Sequence, residues 1–219
     1  MATVLITGCN RGIGFELARQ YKESGHDVIG TCRVTNDKIK NLGIHIIDQI
    51  DVRKDSSVKI LSEQLNNKKI DILINNAGIL IRDSLENIDF NDMIEQYVVN
   101  TIGPLRITKA VMDNLKEGSK ICLITSRVGS IDDNSSGGYY GYRTSKAAAN
   151  MVGMNLYHDL KSVGVSIAIV HPGYVATDMT NGQGIKTSES ASGIINHLEN
   201  INDSSKIQFW HAEGYSLPW

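Results

Sequence analysis

The chain has 219 residues, 41% of them hydrophobic and 21% charged, with a formal net charge of −2. That length suits one α/β domain with a sheet buried between two helical layers. The balanced charge excludes a basic nucleic-acid surface and an acidic solvating tail, and no apolar stretch reaches membrane-spanning length.

Strand, turn and helix signals then alternate. Residues 3–7 form a β-branched run that ends in glycines, and residues 15–21 read as a helix closed by Ser24 and Gly25. Strands follow at 28–32 and 44–50, then a helix at 56–65. Residues 71–75 are almost unbroken apolar sequence, the mark of a parallel strand covered on both faces. A long helix is predicted over 88–115, a fifth strand over 120–125 and a second long helix over 142–160. A strand at 165–170, a helix at 188–198 and a short strand at 207–210 complete the chain. This order predicts right-handed βαβ units in a single Rossmann-type domain over 1–219, with a doubly wound parallel sheet of about seven strands and helices on both faces. Residues 134–138 (NSSGG) read as a loop over one sheet edge.

Cys9, Cys32 and Cys122 are three, without a CxxC spacing, so neither a disulfide framework nor zinc is expected. The six histidines form no ligand-spaced cluster, and no metal is proposed. With no charged leader at the N-terminus, a cytoplasmic protein is expected.

The first strand runs into Gly8, Asn10, Arg11, Gly12, Ile13 and Gly14, a GxxxGxG turn. Glycines there let the backbone approach a pyrophosphate, and the next helix offers free N–H groups to the phosphates. Asp51 and Val52 follow the third strand, where a carboxylate can accept from an adenine amino group. Asn75, Asn76, Ala77 and Gly78 end the fourth strand, where amides and small residues brace the sheet edge and line an adenine–ribose cleft. The second strand ends at Arg33 where an acidic residue would select NAD(H). Arginine there, with Arg11 beside the second glycine, favours a 2′-phosphate and so NADP(H) over NAD(H). Both arginines also fit as solvated surface charges.

Tyr142 and Lys146 lie four residues apart, on one face of a helix. A tyrosine ordinarily has a pKa of about 10, and a neighbouring ammonium with a positive nicotinamide ring would lower it. Tyr-x-x-x-Lys alone is a weak pattern. Ser126, at the end of the fifth strand, adds a hydroxyl able to hold a substrate oxygen at the carboxyl edge, where open α/β sheets bind ligands. Asn100 falls inside a predicted helix, where asparagine is a poor former. It reads either as a tolerated surface residue or as a side chain kept to hold a water in a proton relay. His171 reads as a hydrogen-bonded structural residue beside the nicotinamide position.

In order along nearly the whole chain, these motifs resemble the short-chain dehydrogenase/reductase family. TGCNRGIG at 7–14 resembles its cofactor turn and NNAG at 75–78 its fourth-strand motif. Asn100, Ser126, Tyr142 and Lys146 fall on its catalytic tetrad. The segment from His171 through Pro172, Gly173, Val175 and Thr177 resembles its PG segment, in which Thr177 would hold the nicotinamide carboxamide. SRVGSI at 126–131, GGYYGYRTSK at 137–146 and the closing LPW resemble the C-factor and sniffer-type carbonyl reductase branch. The resemblance implies that Tyr142 donates the proton, Lys146 binds the nicotinamide ribose and lowers the tyrosine pKa, Ser126 polarises the carbonyl and Asn100 positions a water. It also implies a homodimer or homotetramer built on the two long helices.

The sequence departs from the family in a longer interval between Ser126 and Tyr142 and in a short segment between Thr177 and Ser188, which implies an open pocket. The expected activity is hydride transfer between NADP(H) and a small-molecule carbonyl or alcohol. The alternative is a nucleotide-binding signalling or regulatory protein of C-factor type with little turnover; it would need the glycine turn but not Ser126 and Tyr142 together.

Overall fold

The computed structural model describes residues 1–202 and 207–219. Five strands and three helices build the first half: β1 (Thr3–Thr7), α1 (Gly12–Glu23), β2 (Asp27–Thr31), α2 (Asp37–Lys40), β3 (His45–Ile47), α3 (Asp55–Leu65), β4 (Ile70–Asn75) and, later, β5 (Leu115–Ile124). Between β4 and β5 lie α4 (Phe90–Tyr97) and α5 (Gly103–Ala110). The rest comprises α6 (Tyr140–Leu160), β6 (Ser166–His171), α7 (Thr187–Asn200), β7 (Phe209–His211) and β8 (Ser216–Leu217).

The sheet order is β3-β2-β1-β4-β5-β6-β7-β8, parallel throughout except for β8, which runs antiparallel to β7. Chain direction through the sheet reverses between β1 and β4, so a crevice opens beyond their carboxyl ends. Alternate strand residues separate two cores. Leu5, Ile29, Leu73 and Ile121 pack with α3, α5 and α6, while Val4, Ile6, Val28 and Ile74 pack with α1, α2 and α7. Cys9, Cys32 and Cys122 are free and buried. No helix among the described residues is long and apolar enough to cross a membrane.

The doubly wound class is as expected, but the short helix α2 has no counterpart in the predicted elements and four further places differ. The sheet has eight strands: β8 is two residues long and lies in a turn-rich tail, with too little periodicity to announce itself. β3 keeps only three residues of the expected seven, because Asp48, Gln49 (φ 58°) and the residues after them turn away from the sheet. β5 begins at Leu115, so the predicted helix over 88–115 ends earlier. That helix is also not uniform. A π-helical turn, Val98–Ile102, joins α4 to α5 and contains Asn100.

Glycine positions fix how closely the layers approach. A Cβ built on Gly14 would lie 2.3 Å from the Gly8 carbonyl oxygen. Gly14→Ala is therefore expected to destabilise the fold by about 1–3 kcal/mol, the usual cost of overpacking, and to weaken dinucleotide binding. Thermal unfolding and a cofactor titration check this; an unchanged melting midpoint contradicts it.

Candidate active site

The first crossover shapes the crevice. Gly8 and Cys9 donate their N–H groups to Thr31 O (2.8 and 3.2 Å), pulling the glycine turn across the end of β2. Gly8 (φ 67°) and Gly12 (φ 56°) hold left-handed conformations that a side chain would strain. Thr7 Oγ1 accepts from the N–H groups of Asn76 and Ala77, both at 3.0 Å. Asn76 Nδ2 donates to the carbonyls of Thr7 (2.9 Å) and Gly8 (3.2 Å). The turn after β1 and the end of β4 are thus one hydrogen-bonded unit, and α1 begins at Gly12 with its free N–H groups facing the crevice.

A cleft of about 1210 Å³ runs from this turn to Tyr142 and Lys146 on α6. Of the expected cofactor residues, Gly8, Asn10, Arg11, Gly12, Ile13, Arg33, Asp51, Val52, Ala77, Gly78, Tyr142, Lys146, Pro172 and Thr177 line it. Asn75, Gly14, Gly173 and Val175 do not. Asn75 is buried in β4 and points the other way, donating to Thr108 Oγ1 on α5 (3.3 Å), so the bracing amide is Asn76. Gly14 supports the turn from within α1. Val175 is buried and bridges to Ile185, and Gly173 (φ 91°) turns the chain beneath it.

At the outer end, Arg33 is exposed at the tip of β2. Asn10 Nδ2 donates to Val34 O and Asn36 Nδ2 to Asn10 O, both at 2.9 Å, which fixes the loop around it. Lys38 adds a cation that the sequence reading omitted; its ammonium lies 4.1 Å from the centre of the Phe15 ring, at the cleft wall. Arg11 reaches across the opening to Asp178 (2.7 Å). The Asp51 carboxylate is held by Arg53, whose guanidinium and N–H both donate to it, and Arg53 keeps its pKa below the ordinary value.

Ser126, Tyr142 and Lys146 meet at the other end. Ser126 follows β5, with its side chain near enough to the Tyr142 hydroxyl to affect its titration. Lys146 Nζ donates to Ile124 O (3.0 Å) and lies 5.7 Å from the Tyr142 ring centre. Burial pushes Tyr142 up to about 12, with the neighbouring Ser126 side chain pulling the other way. The lowering expected from Lys146 is not seen: the shift is set by desolvation of the charged form in the interior. Burial likewise brings Lys146 down to about 8. His171, at the end of β6, packs edge-on to His211 (4.9 Å between centres). Burial, then the neighbouring charges, holds it near 3, so it is neutral; its Nδ1 has no partner among the described residues, contrary to the expected hydrogen bond.

Asn100 is buried, and its amide is committed. Oδ1 accepts from Ile79 N–H (2.9 Å), while Nδ2 donates to Ile79 O (2.9 Å) and Ser145 Oγ (3.0 Å). Both amide hydrogens are used within the chain, so the side chain ties the β4 exit to α6. The same exit is tied twice more. Gln96 Oε1 accepts from Ile81 N–H (2.9 Å). The Asp83 carboxylate accepts from the N–H groups of Tyr140 and of Gly141 (2.9 Å), capping α6 just before Tyr142. Asp83 has no motif of its own; only the fold places it at that helix end.

A buried cation with a lowered pKa costs stability while it is charged. For Lys146 the cost is present below about 8 and disappears as pH rises to the ordinary 10.5, where the unfolded chain also deprotonates. Lys146→Met removes this titration. The melting-midpoint difference between wild type and variant is expected to move in favour of wild type between these two pH values. Parallel midpoint–pH curves contradict the assignment.

A family model described as short chain dehydrogenase matches residues 2–187. The 1-hydroxy-2-glutathionyl-2-methyl-3-butene dehydrogenase of Rhodococcus sp. (strain AD45) is 40% identical over 226 residues, covering 100% of both chains. The C-signal protein of Myxococcus xanthus is 35% identical over 154 residues, 68% of this chain and 93% of that one. The crystal structure of NADPH-bound carbonyl reductase from chicken fatty liver superposes with a TM-score of 0.90 at 28% identity, covering 100% of this chain and 99% of that one. With its glycine turn, its Asn76 clamp and its Ser126–Tyr142–Lys146 cluster on one cleft, the chain belongs to the short-chain dehydrogenase/reductase family of oxidoreductases.

Proposed function

We propose that this protein is an NADP(H)-dependent carbonyl reductase that interconverts a small carbonyl compound and its alcohol. The observation that carries the reading is Tyr142 and Lys146, with Ser126 beside Tyr142, at the inner end of a cleft whose outer end holds Arg33 and Lys38. The glycine turn fits a dinucleotide: a Cβ on Gly8 would meet Ala77 Cα at 3.1 Å, and on Gly12 Thr177 Cγ2 at 3.4 Å, so the floor is bare backbone. Gly8, Gly12 and Ile13 would hold the pyrophosphate, Arg33 and Lys38 the 2′-phosphate, and Pro172 and Thr177 the nicotinamide end. NADP(H), when bound there, supplies or accepts the hydride.

The residues of the chain handle the proton. The Ser126 and Tyr142 side chains are neighbours, so a carbonyl oxygen placed between them would receive both hydroxyls. Tyr142, with its pKa near 12, is neutral across the physiological range and can donate its proton to that oxygen. The phenolate left behind is stabilised by the Lys146 ammonium. Ile124 O orients that ammonium, and Asn100 keeps the backbone at Ile79 fixed next to it. Asp83 holds the first turn of α6, and thereby Tyr142, in register with Ser126.

A second reading, a nucleotide-binding signalling protein with little turnover, draws on the likeness to the Myxococcus protein named C-signal. Self-association is part of the proposal: Phe90, Ile94, Tyr97 and Leu105 on α4 and α5, with Met151 on α6, present exposed apolar side chains suited to a homodimer or homotetramer. Light scattering tests it; a monomer at assay concentrations refutes it.

NADPH oxidation against a panel of aldehydes, ketones and quinones separates the two functions. Tyr142→Phe is expected to lower kcat by about 10²–10⁴-fold while NADPH binding is retained. Tight NADPH binding without turnover on any carbonyl favours the signalling reading. Loss of the Arg33 guanidinium removes a charge-assisted contact, so Arg33→Ala is expected to weaken NADPH binding roughly ten- to hundred-fold and leave NADH binding unchanged. Equal losses for both cofactors would refute that role.

A further inference from the structure

The turn Asp178–Thr180 touches both ends of the cleft at once. The Tyr142 hydroxyl is in contact with Met179 Sδ at 4.0 Å. On the preceding residue, the Asp178 carboxylate holds Arg11 of the glycine turn at 2.7 Å. One residue earlier, Thr177 packs against Gly12. The turn is stiff. Thr180 Oγ1 accepts from Thr177 N–H (3.1 Å) and donates to Val175 O (2.6 Å), while Gly182 N–H donates to Thr177 O (2.9 Å). The flanking segments are pinned by Ala176 N–H to Ile185 O and Ile185 N–H to Tyr174 O, both at 2.8 Å. The Met179 backbone therefore moves only with Asp178 and Thr177.

A carbonyl that takes a proton from Tyr142 must bring its oxygen within about 2.6–3.2 Å of the hydroxyl. Met179 lies against that position. A thioether is a weak acceptor and a poor competitor for the hydroxyl, yet it fills space with an unbranched, adaptable side chain. The Arg11–Asp178 pair is exposed, at 65% and 78% of the two side chains. Such a pair is weak and yields readily to a phosphate, which carries more charge and more acceptor oxygens. Arg11 thus has two mutually exclusive anions available: the carboxylate of the turn that carries Met179, and a phosphate of the dinucleotide.

We propose that Met179 is a specificity-determining residue that blocks the Tyr142 hydroxyl in the cofactor-free protein, and that the Arg11–Asp178 pair makes this block depend on cofactor binding. Once a phosphate draws Arg11 away, the turn is released from the glycine loop and Met179 swings aside to pack along the substrate. Small carbonyls need little displacement; bulky ones need the side chain to clear the site. The proposal rests on the reductase reading above for its substrate and on the cleft geometry alone for its latch.

Two variants test it, with readouts that do not all require turnover. In Asp178→Asn, NADPH is expected to bind about two- to five-fold more tightly at low ionic strength, because Arg11 has lost its internal competitor, and the gain shrinks as salt screens the pair. In the same cofactor-free variant, hydrogen peroxide is expected to oxidise Met179 about three-fold faster than in wild type, as read by mass spectrometry. Unchanged affinity and unchanged Met179 oxidation overturn the latch. In Met179→Ala, the ratio of kcat/KM for benzil to that for propanal is expected to rise at least about ten-fold, with NADPH affinity as in wild type. A ratio that does not move overturns the specificity role. A wild-type protein inactive on both carbonyls counts against the reductase reading, while the NADPH and peroxide measurements still decide whether the latch holds Met179.

Discussion

Asn76 donates to the carbonyls of Thr7 and Gly8, and Thr7 Oγ1 receives the N–H groups of Asn76 and Ala77. Every other feature of the site leans on this junction. It lies where the sheet order reverses between β1 and β4, the place at which backbone leaves two adjacent strands in opposite directions. Backbone polar groups freed there need partners. One threonine hydroxyl and one amide supply them without filling the crevice. The glycine turn keeps its left-handed corners and the start of α1 faces an open cleft. The exit of β4 then passes directly beside Lys146: a Cβ on Gly78 would lie 3.2 Å from Asn100 Oδ1 and 3.6 Å from Lys146 Nζ.

From that exit the chain is tied to the helices at Ile79, Ile81 and Asp83, through Asn100, Gln96 and the N-terminus of α6. These ties resolve a tension at the chemical centre. Tyr142 and Lys146 are both buried, and burial alone drives each toward its neutral form. A neutral phenol suits proton donation, whereas an ammonium at that depth is costly. The cost is tolerated because Ile124 O accepts from it and because the surrounding backbone is held in place. Such a site gives up local stability for a fixed arrangement of polar groups.

Much of this was legible beforehand. The strands that carry the parallel core, β1, β4 and β6, are continuous apolar runs, and their order along the chain implies the doubly wound sheet. The Ser126, Tyr142 and Lys146 positions follow from strand end and helix spacing. The errors share one cause. Asn75 and Asn76 are adjacent asparagines at a strand end, and a sequence does not state which one faces the glycine turn; the pleat decides, sending Asn75 to Thr108. Asn100 stands out by its poor helix propensity, but the π-turn around it arises where α4 and the turn itself pack against α6. Asp83 and Lys38 sit in segments without pattern. Their roles come from residues distant in sequence, Tyr140 and Gly141 for one and Phe15 for the other.

The sequence by itself determined the order of strands and helices, the glycine turn and the positions of Ser126, Tyr142 and Lys146, because these rest on local spacing and on residue chemistry. Only the tertiary structure decided how charged and polar groups share partners. Arg11, read as a phosphate ligand, is held by Asp178. Asp51 is neutralised by Arg53. Met179, without a motif of its own in the chain, rests on the Tyr142 hydroxyl. The physical reason is that an electrostatic or packing contact depends on distance in space, which the sheet sets by bringing strand ends together, and not on separation along the chain.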